Sequence, residues 1–277
     1  MKNSKIVYVD VGAANAVDPR FKGLLKAGKL SYVGFEPDAR SPLEFPGQVY
    51  PVAVGSKSEV RTLNLCRKPE VSSFLKPNME FLLQDFHNPE RFEVVDTVEV
   101  RVHPMDDYFE VNSTYILKID VQGFELEVLR GAQRMLQNTV AVELEVEFQE
   151  MYEGQPLFGE ISAFLAARGF RFEDFTKLVH WPRKSGLGPG ILVFGQALFV
   201  RERSSFRDLR LASKTEALSL ALQTFGREDL IASYSLPNEG AAARRLRIRY
   251  RLDFWFRELV QHLTRKQWVV LHFLDRD

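Results

Sequence analysis

Three carboxylates in this chain stand where an apolar run gives way to small or turn-forming residues. They are Asp10 in Val9-Asp10-Val11-Gly12-Ala13-Ala14-Asn15-Ala16, Glu36 in Phe35-Glu36-Pro37-Asp38, and Asp120 in Leu117-Lys118-Ile119-Asp120-Val121-Gln122-Gly123-Phe124-Glu125. A carboxylate at a strand end can accept hydrogen bonds from a hydroxylic or cationic ligand, or take a proton from a reacting hydroxyl. Gly12 and Ala13 let the backbone approach a ligand closely, although an ordinary tight turn would use the same residues. Glu36 falls where Rossmann-like proteins meet ribose hydroxyls with an acid. The first loop lacks the full Gly-x-Gly-x-x-Gly that grips a pyrophosphate, which favours S-adenosylmethionine over a dinucleotide.

Around these three lies a second circle of candidates. Lys118 sits two residues before Asp120, on the same strand face. Glu125 opens the following helix, where the helix dipole favours an acid whatever its role. Val140–Phe148 alternates so that Glu143, Glu145 and Glu147 share a face, which makes Glu145 and Glu147 the alternative bases to Asp120. Ser72 and Ser73 can meet a nucleoside or simply belong to a loop. His87 and His103 are outside candidates for proton transfer. Asp106-Asp107 can join Asp120 around a metal or merely start a helix, and no metal is expected. Phe74, Phe81, Phe86 and Phe92 have the spacing of a helical core face.

These groups need a scaffold that brings strand ends together. Over the first 200 residues, short apolar runs alternate with helical patterns, the signature of a parallel sheet flanked by helices. Strands are predicted at Ile6–Val11, Ser31–Glu36, Val49–Val54, Arg61–Leu65, Val98–Val102, Tyr115–Val121, Val140–Phe148, Phe170–Phe175 and Ile191–Val200. Asp18-Pro19 and Gly28 bracket a first helix. Phe124–Leu136 and Pro156–Arg168 read as further helices, and 56–112 as a loop-rich or helical insertion. Leaving aside the two strands within 56–112, five strands with crossover helices and then two joined by a hairpin-like loop suit an α/β, Rossmann-like sheet of seven strands with the last antiparallel. Residues 201–277 read as a helix-rich extension.

Several blocks together resemble the FkbM family of methyltransferases. They are Val-Asp-Val-Gly-Ala at the start, Gly34-Phe35-Glu36-Pro37, Leu117 through Glu125 followed by Leu129-Arg130-Gly131-Ala132, and Val142 through Phe148 with Tyr152 through Phe158. The resemblance covers roughly residues 6–175 and implies a class I methyltransferase fold over 1–200. It also implies S-adenosylmethionine as donor and O-methylation of a sugar, glycan or polyketide-like product. Carried over by position, it implies Asp10, Gly12, Ala13 and Asn15 at the donor's methionine end and Glu36 at its ribose. Asp120 would lie at the transfer site with Lys118 and Glu145, and Ser73 beside the donor. The first loop departs from the family's usual Asp-Val-Gly-Ala-Asn-x-Gly, because Ala14 precedes Asn15 and Ala16 follows it. A nucleotide-dependent oxidoreductase and a non-catalytic adenosyl-binding protein are the competing readings.

Composition sets the outer bounds. Lys plus Arg equals Asp plus Glu at 37 each, so no global field points to nucleic acid. Residues 1–200 hold 22 basic against 27 acidic side chains and 201–277 hold 15 against 10, so the extension is basic, with five arginines in Arg244–Arg251. Its apolar stretches Leu252–Phe256 and Trp268–Leu274 suggest a homodimer contact or packing onto the chain's own core. One cysteine, Cys66, excludes an internal disulfide, and no run approaches the length of a membrane span. A cytoplasmic protein acting on a small molecule or glycan is the expectation.

Overall fold

In a computed structural model, residues 5–14, 17–38, 40, 47–84, 88–202 and 212–234 are described. β1 (Lys5–Val11) is buried at every position after the first, as a strand covered on both faces must be. α1 (Pro19–Lys26) follows, with the Asp18 side chain accepting from Arg20 N and proline in the first turn. Gly28 ends this segment at φ +66°. β2 (Ser31–Phe35) and β3 (Gln48–Tyr50) extend the sheet in parallel.

The third predicted strand divides. After Pro51-Val52 the chain forms β4 (Ala53–Gly55), which leaves the main sheet to pair with β6 (Val94–Pro104). β6 also pairs antiparallel with β5 (Glu59–Cys66), so the two strands predicted within 56–112 join β4 in a separate three-stranded sheet. Proline has no N–H for a ladder, which fits the break at residue 51. Among the described residues between β5 and β6, the one α-helix is the short α2 (Met79–Leu82), flanked by 3-10 turns at Pro69–Val71 and Pro89–Phe92. The phenylalanines of this region therefore share no helical face. Phe81 and Phe92 join a small core with Tyr152 and Trp181, whereas Phe74 packs on Phe124. Phe86 lies outside the described residues.

β7 (Ser113–Ile119) returns the chain to the main sheet beside β1. The stretch predicted as one helix over Phe124–Leu136 is two, α3 (Glu125–Arg130) and α4 (Gln133–Gln137). They part at Gly131, where a Cβ would lie 1.7 Å from the Gly55 carbonyl oxygen. The Asp106 carboxylate then caps α4 by accepting from the N–H groups of Arg134 and Met135. β8 (Thr139–Glu147) is buried at all nine positions.

α5 (Phe158–Ala166) leads to the hairpin of β9 (Phe170–Trp181) and β10 (Ile191–Arg201). The main sheet has the order β3-β2-β1-β7-β8-β10-β9. Its first five strands are parallel and β10 runs against them, as the sequence count requires. α6 (Ala212–Thr224) covers the sheet near β1, β7 and β8, and the first compact unit runs to Phe225. Of the second unit, Gly226–Asp277, the described part is Gly226–Tyr234 with α7 (Glu228–Ser233). Arg244–Arg251, and the apolar stretches that suggest a homodimer contact or packing onto the chain's own core, lie outside the described residues. No helix among the described residues is long and apolar enough to cross a membrane.

Candidate functional site

The carboxyl ends of β1, β2 and β7 open into a cleft of about 270 Å³, where open parallel sheets bind ligands. Gly12, Glu36, Asp38, Lys118, Asp120 and Gln122 line it from the main sheet. Val52, Val54, Leu63, Ser73 and Phe74 line it from the segment around the smaller sheet. The strand ends are knitted together: Gly12 N and Ala13 N donate to Phe35 O at 2.9 and 3.0 Å, and Asp120 N donates to Val11 O at 2.9 Å. Gly12 takes φ +81°, and a Cβ there would sit 1.9 Å from Asp120 O. Only glycine allows this crossing.

Glu36 closes β2. One of its oxygens, Oε1, accepts from Asp38 N at 2.7 Å, and its other oxygen takes no hydrogen bond among the described residues. Burial first, with Asp38, Asp10 and Asp120 nearby, pushes its carboxyl up to about 7. Asp38 behaves oppositely: burial raises it, but the Arg40 guanidinium outweighs burial and holds it below the usual carboxylate range. The two neighbouring acids are thus driven apart in acidity.

Asp10 and Ala13 do not line the cleft; both are buried behind it. Asp10 accepts from Lys118 Nζ at 3.1 Å and from Tyr32 OH at 3.3 Å, because Asp10 and Lys118 are register partners across β1 and β7. Burial raises the Asp10 carboxyl and Lys118 opposes it. Burial would lower the Lys118 ammonium, but Asp10 and Asp120 prevail and raise it. Lys118 therefore reaches the cleft as a cation tied to Asp10. Asn15 lies outside the described residues.

Asp120 sits in a ring of amides. Gln122 Nε2 donates to Asp120 Oδ1 and to Glu145 Oε1, both at 2.9 Å. Gln196 Nε2 lies 3.4 Å from Asp120 Oδ2 and from Glu145 Oε2. Gln196 owes this place to register, since it stands opposite Glu145 in the β8–β10 ladder. The sequence reading passed over both glutamines. Gln122 is held in the left-handed region at φ +57°, an uncommon conformation for a side-chain-bearing residue, and such outliers concentrate at functional sites. Its Oε1 accepts from Tyr152 OH at 3.0 Å, and its carbonyl accepts from Ser73 Oγ at 2.7 Å. Ser73 is thereby engaged in holding the loop at the cleft's edge. Gln122 stood inside the Asp120 block, but only the fold shows what its amide bridges.

Behind Asp120 lie three more acids. Glu125 accepts from Val121 N at 2.9 Å, and burial pushes its carboxyl up to about 8. Burial also raises Glu145 and Glu147 well above the carboxylate range, reinforced by their acidic neighbours. Glu125 Oε2 and Glu147 Oε1 are buried without a hydrogen-bond partner among the described residues. A carboxyl raised by folding favours the folded state while protonated, and that contribution is lost as pH climbs from the ordinary range of about 4.3 through the raised value. Glu147→Gln is therefore expected to lift Tm by roughly 2 to 4 °C at pH 8 while changing it little at pH 5. Scanning calorimetry at both pH values checks this, and equal shifts at the two would refute it.

Other candidates fall elsewhere. His103 on β6 packs edge-on against Tyr108 and is absent from the cleft wall. His87 lies outside the described residues. Asp106 is occupied with capping α4, and Asp107 lines a different hollow with Tyr108 and Phe109. Among the described residues, no three His, Cys, Asp or Glu side chains converge as a metal site. Glu143, on the same strand as Glu145, forms an ion pair with Arg20 and accepts from Thr176 Oγ1.

Residues 10–172 match the family described as the methyltransferase FkbM domain. No curated protein matches the chain. A solved structure titled "Structure of an antibiotic related Methyltransferase" is similar at 11% identity with a TM-score of 0.26, over 70% of this chain and 87% of that one.

Proposed function

We propose, from the premise that this chain belongs to the methyltransferase FkbM domain family, that it uses S-adenosylmethionine to methylate a hydroxyl of a sugar, glycan or polyketide-like product. The observation carrying this reading is the meeting of Glu36 and Asp120 in one cleft, from the ends of β2 and β7. The residues suit the donor. Glu36 has an unused carboxylate oxygen for a ribose hydroxyl. The cleft's acids Glu36, Asp38, Glu70 and Asp120 outnumber its cation Lys118, which favours a positively charged ligand. When bound, the donor supplies an electrophilic methyl on a sulfonium.

Asp120 takes the proton of the acceptor hydroxyl, as general-base catalysis of an alcohol's attack requires. Gln122 and Gln196 fix its carboxylate against Glu145. Glu145, whose raised pKa favours the protonated form at neutral pH, acts in this reading as a positioning group. Lys118 sets a positive charge beside the acids. Phe74, Val54 and Leu63 supply an apolar wall that limits water and orients the reactants.

Calorimetric titration with S-adenosylmethionine and, separately, NAD tests the reading. Micromolar binding of the adenosyl donor is expected, weakened about tenfold or more in Glu36→Ala. Because the ionised Glu36 is the better acceptor and its carboxyl sits at about 7, donor binding should strengthen up to about tenfold between pH 6 and pH 8. Glu36→Ala should lose that dependence. Preference for NAD, or no binding of the adenosyl donor, would overturn the assignment.

A further inference from the structure

Arg91 is a half-buried cation that forms no ion pair among the described residues. Its guanidinium lies 4.6 Å from the Trp181 ring centre and 4.9 Å from that of Phe92. Its Nε is buried with no hydrogen-bond partner, and no carboxylate among the described residues forms an ion pair with it. Burial holds its pKa below the usual arginine range, although Tyr152 and Glu90 pull the other way. Aromatic contacts of this kind engage the faces of a guanidinium; with Nε buried, the two terminal Nη groups remain for an anion, which they can grip in bidentate fashion.

Trp181 connects this arginine to the β9–β10 hairpin. Phe194 pairs with Glu147 at the end of β8, whereas Ile191 pairs with Trp181 three residues further on. The hairpin therefore overruns β8 by about 10 Å, on the side of the sheet where the cleft opens. Its tip, 182–189, is exposed throughout and carries Arg183 and Lys184. No acidic residue occurs from Phe175 to Arg201. The site adjoins the cleft through packed side chains, because Phe92 touches Tyr152, whose hydroxyl bonds Gln122.

We infer that Arg91, Trp181 and the cationic tip at Arg183 and Lys184 form an anion-binding site beside the cleft, suited to a phosphate monoester carried by a sugar or a lipid. Arg91 supplies the directed contacts and the tip supplies long-range attraction. Identifying that phosphate with part of the methyl acceptor rests on the function proposed above; the anion site itself does not.

The test uses the full chain without methyl donor. Glycerol 1-phosphate is titrated calorimetrically against glycerol as the uncharged control. Phosphatidylcholine vesicles with and without phosphatidic acid are sedimented with the protein. Saturable binding to glycerol 1-phosphate alone identifies a soluble phosphate, and binding to phosphatidic acid vesicles alone identifies a lipid headgroup. Either should weaken about tenfold in Arg91→Gln, with S-adenosylmethionine binding unchanged. Absence of saturable binding to both probes, or full affinity in Arg91→Gln, overturns the site. If Arg91→Gln fails to fold, the exposed double variant Arg183→Gln, Lys184→Gln decides, and undiminished binding in it refutes the proposal.

Discussion

Asp120→Asn is expected to slow methyl transfer about 1000-fold, within the range lost when a general base is removed, while donor affinity changes less than about threefold. The substitution keeps the shape of a side chain that meets Gln122 and Gln196. It removes the carboxylate that would take the acceptor's proton. The measurement is release of S-adenosylhomocysteine with an acceptor found by screening hydroxylated glycans and polyketides, alongside donor calorimetry on the same preparation. Glu145→Gln supplies the comparison, because this buried group touches the same amides and favours its protonated form. Its effect should be at least tenfold smaller than that of Asp120→Asn. Were the two effects reversed, Glu145 would be the base and Asp120 its support.

Gly12→Ala should produce the largest structural effect of a single methyl group at this site. The backbone is at φ +81° and the new Cβ would lie 1.9 Å from Asp120 O, a backbone atom that cannot swing aside. The strain of a positive φ and the steric overlap together suggest a loss of about 3 kcal/mol, seen as a fall in Tm of roughly 6 to 12 °C. Donor binding should fail in whatever fraction remains folded, because relief of the overlap must move β1 away from β7 and shift Asp120. A variant with unchanged Tm and unchanged donor affinity would show that the crossing is looser than described.

Much of this architecture could be read from side-chain periodicity. β1, β2 and β7 are parallel strands announced by near-continuous apolar runs, and β8 is announced by its alternation of apolar residues with glutamates. The antiparallel ending was equally legible, because two strands flank a Gly/Pro-rich connection. Between β3 and β7 the runs of β5 and β6 were legible, but the sheet they form with β4 was not. There, pairing of β4 with β6 joins residues some fifty positions apart, and local pattern says nothing about so distant a partner. The helix break at Gly131 was hidden for the same reason: its cause is the carbonyl of Gly55 on another strand.

At the site, the acids at strand ends were visible as types in positions, whereas their roles divided only in three dimensions. Asp10 and Asp120 look alike in sequence. Asp10 turns behind the cleft to Lys118, and Asp120 lines it. Gln196 could not be singled out, since an amide within an apolar strand acquires its meaning from the register that sets it opposite Glu145.

The cleft has two walls of different parentage. Glu36 and Asp120 come from the parallel sheet, whose strand ends are locked together through Gly12 and Phe35. Val54, Leu63 and Phe74 come from the smaller sheet and the segment beside it. Inheritance can therefore treat the walls separately. The side chains of Val54, Leu63 and Phe74 can be exchanged without removing a hydrogen-bond partner of Glu36 or Asp120.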